Sequence, residues 1–275
     1  DTELKPLFVL ITGDNNSYPA PPTKNRKSES TALRRQRYFK QFLQKNLKAP
    51  YVVIPGDNWP QEFDKVFGPR QYSFDFGGIH FLLLSPDRIY HGGGDEGLSV
   101  FDKSTWKWIK RDLKQNRNKP TIVVIHEPVY PMSFLDAPPL RRLLAAYPNV
   151  FAVLQGHLHV DLKFRVDGKT YLVAPSLEKK PTPGMKVVDV TPTGLVVRTI
   201  LYNEKTKRFE MQPRRQIIEI PSKLSSRLVK PKNPKFIKAN YDSLPARPVV
   251  IDPALEKRKG ELMQNAIQSF LPHRE

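Results

Sequence analysis

Two histidines two residues apart follow an apolar run in the second half of the chain. The run from 150 to 154 predicts a buried strand that ends before Gly156, and His157 and His159 come just after it. Along an extended chain the side chains at i and i+2 point to the same side, so both imidazoles should lie together. Neutral imidazoles in a pair are frequent metal ligands, although two polar loop histidines would give the same pattern.

Three other apolar runs also end in residue types that bind metals. Ligands of open sheets gather beyond the carboxyl ends of the strands, so these residues should meet His157 and His159 at one edge. Mixed oxygen and imidazole ligands suit divalent or trivalent ions of Mn, Zn, Fe or Ni. The runs cover 7–12, 51–55 and 121–125, and the residues that follow them are Asp14, Asp57, Asn58 and His126.

The order of these motifs resembles that of the calcineurin-like metallophosphoesterases, the superfamily that includes the purple acid phosphatases. The pieces that carry the resemblance are ITGDN (11–15), PGDN (55–58), PTIVVIHEPVY (120–130) and QGHLH (155–159). The resemblance implies an α+β fold, a four-layer α/β/β/α sandwich in which helices flank two mixed β-sheets. It also implies a hydrolase of phosphate monoesters or diesters, a phosphatase or phosphodiesterase in which a metal-activated hydroxide attacks phosphorus.

The resemblance further assigns the metal ligands, for one or two ions per chain. Asp14 takes the place of the aspartate that bridges two ions, and His126, His157 and His159 take the places of the histidine ligands. The family has an asparagine ligand at the second motif. Asp57 or Asn58 could supply that oxygen, because the register is ambiguous by one residue.

Two features of the family pattern are missing. The family has a histidine after its Gly-Asn pair that assists the leaving group, whereas this chain has Trp59 after Asn58. His91, in the sequence HGGGDEG, could replace that acid, although a plain loop residue is the simpler interpretation. Loss of the acid predicts a slow enzyme, a substrate with a good leaving group, or no chemistry.

The second missing feature is the first strand of the family, which ends in Asp-x-His. Only six residues precede Leu7. The strand could lie upstream of residue 1, or the protein could be a degenerate member. A third hypothesis is a circular permutation, in which the strand-like segment 248–252 supplies Asp252 as the first-motif aspartate.

The charge of the chain suggests a second class of function. The 275 residues carry a formal charge of +18 and the sequence pI is about 9.9. Such a basic protein attracts nucleic acids and other polyanions, and it also draws in anionic phosphate substrates. The alternative to an enzyme is therefore a catalytically degenerate scaffold subunit that binds a polyanion such as RNA.

Composition divides the chain into three expected parts. A metallophosphoesterase-like domain spans 1–202, a Pro/Lys-rich extended arm spans 203–247, and a C-terminal strand and helix span 248–275. No apolar stretch of about 18 residues is present, so no transmembrane helix is expected. The absence of cysteine and the non-Met start favour an exported or periplasmic bacterial protein, and the oligomeric state stays open.

Periodicity predicts the elements that position these motifs. We expect helices, a hairpin that turns at Gly77 and Gly78, and a glycine-rich loop over 88–100. The alternating segments after His159 are expected to form the second sheet of the sandwich. The expected helices cover 32–45, 101–116 and 140–146.

Overall fold

A computed structural model describes residues 4–15, 30–58, 60–90, 97–178 and 182–229, and all structural statements concern these residues. The helices are α1 (Thr31–Asn46), α2 (Phe63–Phe67), α3 (Lys103–Gln115), α4 (Ala137–Ala145) and α5 (Ser222–Ser225). The strands of the first half are β1 (Val9–Ile11), β2 (Tyr51–Val53), β3 (Tyr72–Phe76), β4 (Ile79–Leu84), β5 (Asp87–Tyr90), β6 (Gly97–Val100) and β7 (Thr121–Ile125). The later strands are β8 (Val150–Gln155), β9 (Leu162–Val166), β10 (Lys169–Val173), β11 (Gly184–Thr191), β12 (Gly194–Asn203) and β13 (Arg208–Glu219).

The central element is a six-stranded mixed sheet in the order β3-β4-β7-β8-β10-β9. Strands β4, β7, β8 and β10 run parallel to one another, and β3 and β9 pair antiparallel at the two edges. Every residue of β4 and of β7 is buried. A parallel strand covered on both faces needs apolar side chains throughout, which explains the unbroken runs IHFLLL and TIVVI.

The other layers pack on the two faces of this sheet. On one face lie the parallel pair β1-β2 and the antiparallel sheet β11-β12-β13, and Val52, Val124 and Leu195 share the buried core between them. Helices α3 and α4 cover the opposite face. Helix α1 packs on the outer side of β2 through Leu43 and Val53. The arrangement is the expected α/β/β/α sandwich.

Most expected local elements are confirmed. Helix α1 begins after Ser30, whose side chain accepts a hydrogen bond from the backbone N–H of Leu33. Asp102 caps α3 in the same way by accepting from Thr105. Helix α4 begins three residues before the expected 140, because proline fits the first turn of a helix and does not stop it there.

The composition of the second sheet was predicted incorrectly. Strands β9 and β10 belong to the six-stranded sheet, because β10 adds parallel to β8 and β9 folds back onto β10. Alternation along the chain indicates strands but does not state which sheet they join. The glycine-rich loop expected over 88–100 contains the paired strands β5 and β6 at its ends.

The structure also differs from the expected arm that begins at residue 203. Strand β13 pairs along its length with β12, and Ile218 and Ile220 enter the core. Pro213, which lies within the expected arm, is located where the register between β12 and β13 shifts. Proline is tolerated at such an irregularity because no ladder hydrogen bond is lost there. Residues 203–229 therefore belong with the sandwich. The remainder of the predicted arm and the predicted C-terminal strand and helix, residues 230–275, lie outside the described residues.

A buried polar cluster holds the start of the six-stranded sheet. His80 lies at the beginning of β4. Its Nδ1 lies 2.7 Å from Asp75 Oδ1 and its Nε2 lies 2.8 Å from Asp112 Oδ1. Ser73 donates to the other oxygen of Asp112, at 2.7 Å, which ties α3 to β3 and β4. Burial alone would lower the pKa of His80, but the two carboxylates raise it above its ordinary value.

Candidate metal centre

Four residues that follow the ends of strands in two different sheets lie close together. Asp14 follows β1 and Asp57 follows β2, while His126 follows β7 and His157 follows β8. One ligand atom from each of the four residues lies within 4.8 Å of all the others. Both strands of each pair are parallel, so their carboxyl ends meet at the same edge of the sandwich.

Two glycines allow the strand ends to approach this closely. A Cβ atom at Gly13 would lie 2.6 Å from Nδ1 of His126, and one at Gly56 would lie 1.9 Å from Oδ1 of Asp14. Both distances are too short for any side chain. Glycine in the two Gly-Asp pairs is therefore required by the space between the strands.

His126 has a fixed orientation in the cluster. Its Nδ1 is 2.7 Å from the carbonyl oxygen of Thr12, and since a carbonyl only accepts, Nδ1 must donate. Its Nε2 lies 3.1 Å from Asp14 Oδ2 and 2.9 Å from Asp57 Oδ1. A hydrogen bond on the far nitrogen is the usual way in which proteins orient a histidine ligand toward a metal.

The electrostatics of the cluster call for a cation between the side chains. Burial alone would lower the pKa of His126, but hydrogen bonds to Asp14 and Asp57 raise it to about 10. Burial would raise the pKa of Asp57, but His126 and His157 lower it far below its ordinary value. His126 also lowers the pKa of Asp14 against the effect of burial. Without a metal, the proton on Nε2 supplies the positive charge that the two carboxylates require.

The donor set fits a transition-metal ion. If Nε2 of His126 carried a lone pair and no cation were bound, that lone pair would face two carboxylate oxygens. An ion at this point accepts the imidazole lone pair and both carboxylates at once. Two carboxylates and two imidazoles are a ligand set that Mn, Zn, Fe and Ni ions accept, so the residues present fit the expected metal.

The second motif contributes both of its polar residues in different ways. Asp57 places Oδ1 3.1 Å from Nδ1 of His157, within the four-residue cluster. Asn58 instead donates to Asp14, through its backbone N–H to Oδ1 and through Nδ2 to Oδ2, each at 2.9 Å. Asn58 thus orients Asp14, while Asp57 lies in the four-residue cluster.

The two histidines of the GHLH turn contact different acidic residues. His157 has φ +67° and His159 has φ +59°, so neither is in the extended conformation assumed for the i, i+2 argument. His157 contacts Asp57, whereas Nδ1 of His159 lies 3.5 Å from Oε2 of Glu178. His159 is not among the four clustered residues.

Sequence reasoning missed two residues near the site. Glu178 has no motif around it that would have identified it. Gln155, the last residue of β8, accepts from the backbone N–H of Val129 at 2.8 Å and donates to the carbonyl of Tyr130 at 3.0 Å. It thereby holds the loop after His126, and a buried glutamine at the end of an apolar strand is the signal that could have indicated this. His91 and Asp252, the two weaker candidates, lie outside the described residues.

The chain is similar in sequence to proteins that are named as phosphodiesterases or phosphatases. The chain is 27% identical over 118 residues to a 3',5'-cyclic-nucleotide phosphodiesterase from Nostoc sp., covering 39% of this chain and 41% of that protein. It is 27% identical over 229 residues to the serine/threonine-protein phosphatase CPPED1 from Rattus norvegicus, covering 74% of this chain and 70% of that protein. The chain thus spans less than half of the first relative's length.

One solved structure has a similar fold, and a family model matches more than half of the chain. The fold is similar to that of a dimetal phosphatase from Danio rerio, with a TM-score of 0.59 at 10% identity over 80% of this chain and 85% of that one. The model of the calcineurin-like phosphoesterases matches residues 2–161, which include all four clustered residues. The chain belongs to the calcineurin-like phosphoesterase family.

Proposed function

We propose that this protein is a metal-dependent hydrolase of phosphate esters. The observation that carries the proposal is the meeting of Asp14, Asp57, His126 and His157 within 4.8 Å, from four strand ends on two sheets. Family membership and the relatives' names support the same chemistry. A divalent transition-metal ion bound there would polarise the phosphoryl oxygens and lower the pKa of a water molecule.

The chain's own residues position and balance the charge in this centre. Asp14 and Asp57 supply two negative charges, which would balance the charge of a bound divalent ion. The centre as a whole would then be close to neutral and would not repel an anionic ester. His126 is held by the Thr12 carbonyl, and Asp14 is held by Asn58, so neither needs to rearrange when the ion binds. Such preorganisation lowers the cost of placing the reacting groups.

The two histidines of the GHLH turn are accessible to a further ligand or to substrate. His157 and His159 are each about one-third exposed, so both are accessible from solvent. We propose that His159 contacts either a second ion or the phosphoryl group. We also propose Asp57 rather than Asn58 as the ligand from the second motif, since a carboxylate oxygen of Asp57 lies within the cluster and Asn58 directs its amide nitrogen to Asp14.

The test combines metal content with turnover. The purified protein is analysed by elemental mass spectrometry and assayed with bis(4-nitrophenyl) phosphate and with 4-nitrophenyl phosphate, because the relatives' names include both a phosphodiesterase and a phosphatase. Asp57→Asn and His157→Ala should lose bound metal and activity together. Asp189→Asn, an exposed carboxylate paired with Arg198 on the β11–β12 hairpin, is the control and should keep both.

The result decides between this proposal and the scaffold alternative. One or two equivalents of metal, lost in the Asp57 and His157 variants, support the hydrolase. Absence of metal and of turnover in the unaltered protein would contradict it. The comparisons do not favour the degenerate scaffold, and a polyanion partner is a separate proposal that rests on the +18 charge. Export from a bacterial cell stays a prediction from the sequence.

No helix among the described residues has the length and apolar character needed to span a bilayer.

A further inference from the structure

The solvent face of α3 carries a continuous row of basic side chains. The helix contains a single acidic residue, Asp112, and that residue is buried against His80 and Ser73. Asp102 lies just before the helix and is used as its N-cap. The exposed basic residues of the helix are Lys103, Lys107, Lys110, Arg111 and Lys114.

The geometry of a helix places these five residues in one stripe. At 100° per residue they fall within an arc of about 100°, and at 1.5 Å per residue they extend over about 17 Å. Neighbours in the stripe are three or four residues apart, the spacing at which helix side chains are adjacent. We call this stripe the α3 basic face.

The α3 basic face works against the stability of its own helix. Like charges at i, i+3 and i, i+4 repel each other, and no carboxylate occupies the first turn to favour the positive end of the helix dipole. Lys103 and Lys107 lie near that end, where a cation is unfavourable. Among the described residues, none forms an ion pair with the four lysines of the face. Local stabilisation therefore does not explain Lys103, Lys107 and Lys110, whereas Lys114 lies in the last turn, where a cation is favourable.

The sandwich holds this face outward. The opposite side of α3 buries Trp108, Ile109 and Leu113 in the core beneath the helix layer, and Asp112 bonds to β3 and β4. The helix cannot rotate without exposing these residues. Its cations are consequently presented as a fixed, straight array.

We propose that the α3 basic face binds the phosphate backbone of a nucleic acid without reading its sequence. This binding is distinct from ester hydrolysis at the metal centre. Lysine ammonium groups act as point charges, which suits a row of phosphates more than a specific base edge. No aromatic residue lies in the stripe to stack on bases, so affinity should come almost entirely from released counterions.

The same features disfavour a lipid surface as the partner. Interfacial helices insert apolar or aromatic side chains beside their cations. None of the exposed large apolar side chains of the described residues is on α3. The stripe is one helix wide, which matches a single polynucleotide strand or one edge of a duplex groove.

The test measures binding to a labelled 25-base-pair duplex by fluorescence anisotropy over a series of salt concentrations. The test variant is Lys107→Gln/Lys110→Gln/Lys114→Gln. Each cation that contacts a phosphate contributes about 0.9 to the slope of log K against log salt. We expect the slope to fall by about 2.7 and the affinity at 0.1 M salt to fall by about tenfold or more.

A control variant removes the same charge elsewhere. Lys205→Gln/Arg208→Gln/Arg214→Gln changes three exposed cations on the β12–β13 hairpin, and its affinity should stay within about threefold of the unaltered protein. Both variants alter only exposed side chains, and thermal unfolding verifies that they fold. Turnover of an aryl phosphodiester, where present, should be the same in both, because neither touches the metal centre.

Three outcomes would overturn the proposal. Equal losses in the two variants would mean that net charge alone attracts the duplex. No loss in the α3 variant would place the binding surface elsewhere. Tighter binding to phosphatidylserine vesicles than to the duplex, lost in the α3 variant, would make a membrane the partner.

Discussion

Replacing Gly56 with alanine should move Asp14 away from its place in the metal centre. The new Cβ would lie 1.9 Å from Asp14 Oδ1 and 2.2 Å from the backbone nitrogen of Asp14. The carboxylate could rotate away, but the backbone nitrogen cannot. The ends of β1 and β2 must therefore move apart until the contact reaches at least 3.0 Å, the lower limit for real Cβ contacts.

The size of this movement sets the expected effect. A displacement of about 1 Å in a catalytic group costs about 10²-fold in rate. Asp14 also loses alignment with Nε2 of His126, so metal affinity should fall by at least about tenfold, equivalent to about 1.4 kcal/mol. Overpacking of this kind also lowers the free energy of unfolding by about 1–3 kcal/mol.

A second glycine provides a matched control. Gly68 has φ +90° and no atom within 4 Å of an added Cβ, so Gly68→Ala introduces backbone strain but no collision. Gly68 has ψ −162°, so it lies in a region that essentially only glycine occupies, and the strain costs about 1–3 kcal/mol of stability, similar to the loss expected at Gly56. The two variants should therefore resemble each other in unfolding and differ in metal binding.

The assay is isothermal titration of the metal-depleted proteins with Mn²⁺, with urea unfolding of the same samples. Gly56→Ala should bind more weakly than the unaltered protein, and Gly68→Ala should bind equally well. Unaltered affinity in Gly56→Ala, or an equal loss in both variants, would refute the argument that the close approach of β1 and β2 builds the centre.

Three further predictions concern stability, leaving groups and pH. Ile109→Ala, which empties a fully buried position of α3, should lower the free energy of unfolding by about 2–5 kcal/mol, whereas the neighbouring Lys110→Ala should change it by less than about 0.5 kcal/mol in chemical denaturation. If no other residue replaces the missing leaving-group acid, kcat for aryl phosphodiesters should fall steeply as the pKa of the leaving phenol rises; a flat dependence would show that a replacement acid exists. The carboxylates of Asp112 and Asp75 raise the pKa of His80. The stability that His80 contributes is therefore fully present below pH 6.5, its pKa in the unfolded chain, and is lost as the pH rises through its pKa in the folded protein. The pKa of Asp75 is lowered, chiefly by His80. The stability that Asp75 contributes is therefore fully present above pH 3.8, its pKa in the unfolded chain, and is lost in acid. His80→Asn should thus reduce the free energy of unfolding more at about pH 5.5 than at about pH 9, and the reverse order would contradict the assignment.

The fold was largely predictable from the sequence because its signals are local. Unbroken apolar runs marked β7 and β8, caps marked α1 and α3, and paired glycines marked the turn between β3 and β4. The choice of sheet for β9 and β10 was not predictable, since it depends on which edge is free after β8 has paired. The continuation of the sandwich into β13 was obscured by Pro213, which lies at an irregularity that only the pairing partner defines.

The site was predictable in composition but not in geometry. Residue types at strand ends identified the candidates, and the motif order gave their roles by resemblance. The left-handed backbone of His157 and His159 was not predictable, because a Gly-His-Leu-His sequence does not state φ. The contact of His159 with Glu178 was not predictable either, because it depends on the path of the chain after β10.

The division of the ligands between two sheets links folding to metal binding. Asp14 and Asp57 come from the β1-β2 pair, while His126 and His157 come from the six-stranded sheet, and the apolar core between them brings the two layers into contact. Neither layer alone has more than two of the four ligands, so the centre exists only when the layers are docked. Docking also brings two carboxylates together, and their repulsion opposes it unless a proton on His126 or a metal ion lies between them. An ion that binds only the docked form must stabilise that form by an amount set by its concentration and affinity. Metal binding should therefore strengthen the contact between the two sheets as well as supply the chemistry, since the same four side chains serve both purposes.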